Sequence, residues 1–335
     1  LTVNLRIPGP IPVPTDILAE MAQPMINHRG PEFKEMLLRI TDDIKKVFET
    51  QGDVYTMTTS GTGAMEATVV NTLSAGDNVL AVSIGAFGDR YAEIAERYGA
   101  NVTKLAFEWG QAADPDKVQE AIIQGNFKAV LLTHNDTSTG VVNNLQSLAQ
   151  VVKEKSDALI LVDGVSSVAS VPVRTDDWGL DAVATASQKG WMLPPGLAFV
   201  SFSERAWKAH ATATMPRFYF DISQYKDYLE VGQPPYTPVL SVYFALDRAL
   251  KQLLSEGLED VYQRHRTAAQ QIRDQVLSLG LRLFPEKSVA SDTVTAVRVP
   301  TEINGLKLLS AMWQRGVVLA GGQKHLKGKI FRIGH

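Results

Sequence analysis

The feature that most constrains this chain is a series of short, almost unbroken runs of Val, Leu, Ile and Ala between residues 54 and 202. They are Val54–Thr58, Asn78–Ser83, Asn101–Ala106, Lys128–Thr133, Ala158–Asp163, Asp181–Ala186 and Leu197–Phe202. A strand that is apolar on both sides of its pleat must be covered on both faces. The covering layers are present between the runs, where helices are expected at Gly63–Leu73, Asp89–Tyr98, Pro115–Gln124, Leu145–Lys155 and Glu204–Ala211. In the second of these, Tyr91, Ile94, Ala95 and Tyr98 share one face, and Gly99 supplies a stop. Strands alternating with helices of this length predict a mainly parallel, right-handed α/β sheet of seven strands.

The pattern changes near Gln233-Pro-Pro-Tyr-Thr-Pro238. Two long helical stretches come next, at about 239–255 and 259–279. Then come an apolar strand at 293–299, a helix near 303–315, and short apolar pieces at 317–320 and 329–333. This predicts an N-terminal arm at 1–20, a large domain at 21–235 and a smaller α+β domain at 236–335. The arm carries Ile-Pro-Gly-Pro-Ile-Pro-Val-Pro, which favours extended backbone lying on another surface. The chain stops at Arg332-Ile-Gly-His335, just past the last piece and without a closing helix, which reads as a truncated end.

Composition removes several function classes. The net charge of −3 gives no basic surplus for nucleic acid or acidic lipid. Cysteine is absent, which excludes disulfides, thiolate metal sites and a cysteine nucleophile; no metal is expected, and a cytoplasmic location is. No apolar run reaches the roughly 18 residues of a membrane span.

In a parallel sheet, ligands bind where the strands end, so chemistry is sought in the residues just after each run. After 54–58 come Thr59-Ser60-Gly61-Thr62-Gly63, opening a helix. Its backbone N–H groups and hydroxyls suit a phosphate, although the same residues serve as an ordinary helix cap. Phe87 lies between Gly85 and Gly88 after the second run, placed either to face a planar ring or to fill the core. The fourth run leads into His134-Asn135-Asp136-Thr137-Ser138-Thr139-Gly140, a cluster able to hydrogen-bond ligand oxygens; His134 by itself reads as structural. Asp163 closes a purely apolar run. There a carboxylate needs a cation, such as a protonated pyridine nitrogen, unless it merely caps the turn before Gly164. Lys189 comes after the sixth run in Ser187-Gln188-Lys189. A lysine with a lowered pKa forms Schiff bases, whereas most lysines are simply solvated. The ordered series of phosphate turn, aromatic, polar cluster, Asp and Lys favours the functional reading of each member.

These residues resemble the class V aminotransferases of the fold-type I pyridoxal phosphate enzymes. The likeness is greatest to alanine–glyoxylate and serine–glyoxylate aminotransferases, including cyanobacterial relatives labelled as a soluble hydrogenase subunit. It runs from Pro8-Gly9-Pro10 to Arg332 through Ser60-Gly61-Thr62-Gly63, Gly85-Ala86-Phe87-Gly88, Thr137-Ser138-Thr139-Gly140, Val162-Asp163, Ser187-Gln188-Lys189, Pro194-Pro195-Gly196 and Phe331-Arg332-Ile333-Gly334. The resemblance implies that Lys189 holds pyridoxal 5′-phosphate as a Schiff base and moves the proton. Asp163 would pair with the ring nitrogen, and Phe87, where many relatives have Trp, would stack on the ring. Thr137 would meet the ring hydroxyl, and Ser60, Gly61, Thr62 and Gln188 the phosphate. Tyr236 and Thr237 would reach the phosphate of a neighbouring subunit in a homodimer with shared active sites. Arg332 would grip the substrate carboxylate, with Gly9 also at the substrate; outside the resemblance, Arg332 reads as a surface ion pair.

The implied reaction is ping-pong transamination from alanine or serine to an oxo acid, expected to be glyoxylate. Three alternatives stand beside it: an aspartate aminotransferase of the same class, a lyase on the same cofactor, and a non-catalytic partner subunit. A cysteine desulfurase lacks its cysteine, and a nicotinamide enzyme lacks its full glycine fingerprint.

Overall fold

The computed structural model describes residues 3–335; Leu1 and Thr2, the first two of the expected arm, lie outside the described residues. Fourteen strands and twelve α-helices succeed one another among the described residues. The strands are β1 (Asn4–Arg6), β2 (Asp53–Met57), β3 (Asn78–Ser83), β4 (Asn101–Ala106), β5 (Ala129–Thr133), β6 (Asn135–Asp136), β7 (Val141–Val142), β8 (Leu159–Asp163), β9 (Ala182–Ala186), β10 (Ala198–Phe202), β11 (Arg282–Leu283), β12 (Val294–Arg298), β13 (Val317–Gly321) and β14 (Ile330–Gly334). The helices are α1 (Thr15–Glu20), α2 (Pro31–Phe48), α3 (Gly61–Thr72), α4 (Ala86–Arg97), α5 (Pro115–Gln124), α6 (Leu145–Lys155), α7 (Thr175–Trp178), α8 (Glu204–His210), α9 (Ile222–Glu230), α10 (Leu240–Glu256), α11 (Leu258–Ser278) and α12 (Gly305–Gln314).

The seven expected runs form one sheet in the order β2-β10-β9-β8-β5-β3-β4. Only β10 runs against its neighbours. The central strands β5, β8, β9 and β10 are buried at every residue, as their unbroken apolar character requires. A hydrophobic cluster lies on each face. One contains α2, α6 and α10 with Val82, Leu132 and Phe199; the other contains α3 and α4 with Ala81, Leu131 and Val200. The architecture is the expected one: a mainly parallel seven-stranded α/β sheet, with a second and smaller sheet beside it.

The smaller sheet has the order β1-β13-β14-β12-β11. Its edge strand β1 comes from the arm and pairs in parallel with β13, Leu5 opposite Val318. The arm then crosses to the large sheet, where the Ile11 N–H donates to the Gln188 carbonyl at 3.3 Å.

Helix α2 was not among the expected elements, yet its sequence carries the signal. Phe33, Met36, Leu37, Ile40, Ile44 and Val47 recur at helical spacing and are all buried, Pro31 opens the helix, and Glu49 in left-handed conformation closes it. Each such side chain contributes about 1.5–3 kcal/mol of transfer free energy. Helix α4 begins three residues before its expected start, so Phe87 sits in its first turn.

Candidate functional site

The ends of β2, β3, β5, β8 and β9 converge on one cavity. Ser60, Gly61, Thr62, Phe87, Asn135, Thr137, Asp163, Gln188 and Lys189 all line it, together with Met65, Arg90, Val165 and Ser166. Eight of the expected site residues are therefore in one place, although 129 positions of sequence separate Ser60 from Lys189.

Each wall has a local cause. Ser60 caps α3, its hydroxyl accepting from the Gly63 N–H at 3.4 Å. The first N–H groups of a helix have no intrahelical acceptor and point outward at its N-terminus. The loop bearing Phe87 is fixed by Asp136, whose Oδ2 accepts from the Phe87 N–H at 2.9 Å and the Gly88 N–H at 3.3 Å. Gly85 is required there, because a Cβ on it would lie 2.5 Å from the Asp136 carboxylate. Ser138 completes the brace, its hydroxyl accepting from the Ala86 N–H and donating to Asp136 Oδ1. The polar cluster after β5 is thus divided. Asn135 and Thr137 face the cavity, whereas Asp136 and Ser138 hold the neighbouring loop. His134 is buried against Trp178 and kept neutral by desolvation, with its pKa near 4, outside the cavity lining.

Asp163 is buried at the end of β8. Its Oδ1 accepts from the Val165 N–H at 3.0 Å, and no cation stands within ion-pair distance of it among the described residues. Burial pushes its carboxyl up to about 7, partly offset by that hydrogen bond. The group therefore lacks a cationic partner. Gln188 shows the same deficit, its buried Oε1 having no hydrogen-bond partner among the described residues.

Lys189 stands on a tight turn after β9. The Ser187 hydroxyl donates to the Pro194 carbonyl at 2.7 Å, and the Met192 N–H donates to the Lys189 carbonyl at 3.0 Å. Trp191 anchors the turn, buried against Phe199 with ring centroids 4.4 Å apart. Burial and the Arg332 charge lower the Lys189 amine to about 8. Its Nζ donates to the Pro8 carbonyl at 2.8 Å. Gly9 lies beside it with φ +138°, and a Cβ there would come within 2.5 Å of Nζ, so only glycine fits.

Arg332 comes from the middle of the smaller sheet, where it faces Ala320 on one side and Ala296 on the other. Its Nη1 donates to the Thr137 carbonyl at 2.7 Å, and Nε and Nη2 donate to the Gly321 carbonyl at 2.9 and 2.7 Å. It is buried without a carboxylate partner among the described residues, and desolvation lowers its pKa. The surface ion pair considered from sequence is not what the fold makes of it. Tyr236 is outside the cavity. It stacks on Tyr219 at 4.9 Å and donates to the Phe218 carbonyl, with Thr237 next to it.

Of the lining, Met65, Arg90, Val165 and Ser166 were not anticipated. Arg90 carries a readable signal, since it lies three residues after Phe87 on one helix face.

Linkage gives the site a pH signature without ligand. A carboxyl raised from its ordinary value in the folded state contributes stability that is present below about pH 4 and lost as pH rises through about 7. Without ligand, Asp163→Asn should therefore lose less stability than wild type between pH 4 and 7, measured by denaturant unfolding. Parallel curves would show that the carboxylate is not desolvated.

Residues 16–330 match the family described as aminotransferase class-V. The soluble hydrogenase small subunit of Synechococcus sp. is 44% identical, over 99% of this chain and 87% of that protein. The L-aspartate–glyoxylate aminotransferase of Paracoccus denitrificans is 38% identical, over 98% of this chain and 85% of that one. The crystal structure of alanine–glyoxylate aminotransferase from Nostoc sp. superposes with a TM-score of 0.96 at 29% identity, covering all of this chain and 90% of the other.

Proposed function

The chain belongs to the class V aminotransferases, and from that premise we propose that it moves the amino group of alanine or serine to glyoxylate by ping-pong transamination. It is an enzyme of the pyridoxal 5′-phosphate-dependent transaminase class. The cavity's chemistry fits that group: a buried carboxylate lacking a cation, a buried amide oxygen lacking a donor, and a lysine amine with lowered pKa. When bound, the cofactor's ring supplies an electron sink for the pair released at the substrate α-carbon.

The protein's own residues do the rest. Lys189 would hold the cofactor aldehyde through Nζ, and its amine would take and return the substrate's α-proton. An amine near pKa 8 is suited to both directions at neutral pH. Asp163 would keep the ring nitrogen protonated, each group supplying the charge the other needs. Phe87 would cover one ring face, Thr137 would meet the ring hydroxyl, and Ser60, Gly61, Thr62 and Gln188 would bind the phosphate; all of them line the one cavity. Tyr236 and Thr237 would serve the phosphate of a second subunit in a homodimer working in the cytoplasm. Gly9, placed at the substrate, lets the backbone pass against the Lys189 side chain where a Cβ would collide with it.

One observation carries the donor class. Two arginines are buried among the described residues, and they differ. Arg273 is paired with Asp292 at 3.2 Å, whereas Arg332 has carbonyl partners only. A single buried guanidinium with no anionic partner among the described residues matches a single carboxylate. Arg264, in the adjoining cavity along Lys189, is held in a two-point ion pair with Glu256, which disfavours a dicarboxylic donor such as aspartate. Spectral half-reactions of the purified holoenzyme test this. Alanine or serine should react at least about tenfold faster than aspartate, the discrimination expected from one unmatched charge. Fastest reaction with aspartate would replace the small-donor reading, and inactivity with all three would remove the substrate class.

A further inference from the structure

Arg90 has no role in the assignments above, yet it lines the cavity. It lies one helical turn after Phe87 on α4, and its guanidinium carbon stands 4.9 Å from the Phe87 ring centroid. Its Nη1 donates to Thr62 Oγ1 at 3.2 Å, in the first turn of α3. Among the described residues no carboxylate stands within ion-pair distance of it, although its neighbour Asp89 is paired with both Lys104 and Lys324. A cation held by a ring and a hydroxyl, without an anion, lies beside outward-pointing helix N–H groups.

We propose that Arg90 is a further phosphate-binding residue, supplying the positive side-chain charge that the cradle of Ser60, Gly61 and Thr62 lacks. This rests on the placement of the cofactor phosphate over those residues. The cradle's own groups are neutral: two hydroxyls, backbone N–H groups and the Gln188 amide. A phosphate close to a dianion is held more strongly when one of its partners is charged. The guanidinium also joins the two walls of the site, because the same group that donates to Thr62 packs on Phe87.

Binding of pyridoxal 5′-phosphate and of pyridoxal, which lacks the phosphate, separates the possibilities. Affinities are measured spectrally on cofactor-free wild type, Arg90→Met and Arg90→Lys, with melting curves confirming the fold. Wild type should prefer the phosphorylated form strongly. Arg90→Met should lose about tenfold in affinity for it while keeping its affinity for pyridoxal, a charge-assisted hydrogen bond at a partly solvated site being worth about that much. Arg90→Lys should fall between, keeping charge but not the planar contact. Equal losses for both ligands would reduce Arg90 to a support for Phe87 and overturn the proposal, as would no loss for either. A wild type without preference for the phosphorylated form would instead overturn the placement of the phosphate.

Discussion

Lys189→Ala should lose transamination by about 10³-fold or more, since the change removes both the covalent anchor of the cofactor and the group that carries the proton. The visible to near-ultraviolet absorbance of the lysine-bound cofactor should vanish in the same variant. The fold should survive. Lys189 is half-buried, its amine bonds to the Pro8 carbonyl alone among the described residues, and the anchor of its turn is Trp191. Removing an amine whose charged form burial disfavours costs the folded state little. A variant that keeps the absorbance band and activity within tenfold of wild type would end the assignment. Loss of the band with a collapsed melting transition would locate the effect in folding instead.

Arg332→Ala should lower kcat/KM by about 10²–10³-fold, the range seen when one partner of a buried, hydrogen-bonded charge pair is truncated. Arg332→Lys should recover little, because three of the guanidinium donors are already spent on Gly321 and Thr137 and an ammonium cannot present the planar fork to a carboxylate as well. Cofactor affinity should change less than about threefold in either variant. That readout separates substrate binding from scaffolding. Arg332 also ties β14 to the loop after β5, and a merely structural role would loosen Thr137 and weaken cofactor binding in parallel.

Much of the architecture was legible because burial on both faces leaves a local mark. The runs ending in Ser83, Thr133, Asp163 and Ala186 read as strands from their own residues and end where expected. Helices α5 and α6 match their expected bounds at both ends. Helix α2 is as periodic as any of these, but no expected strand leads into it, so the alternation of strand and helix does not point to it. The polar cluster at 134–140 shows a different limit. Its composition suits a ligand, yet Asp136 and Ser138 face backbone N–H groups of the loop after β3. Which way a short polar side chain turns depends on what the next strand brings beside it.

The sequence by itself determined the alternation of strand and helix, and through it the placing of Ser60, Asp163 and Lys189 at strand ends in one sheet. Those facts come from periodicity and turn chemistry within a few residues. Tertiary structure alone decided that Arg332 meets Thr137 across 195 positions, that Pro8 reaches Lys189 across 181, and that Arg90 faces Thr62 while Phe87 lies beneath it. These contacts arise where two sheets and a crossing arm pack together. No local period encodes such packing, because its energy comes from burying surfaces that are distant in the chain.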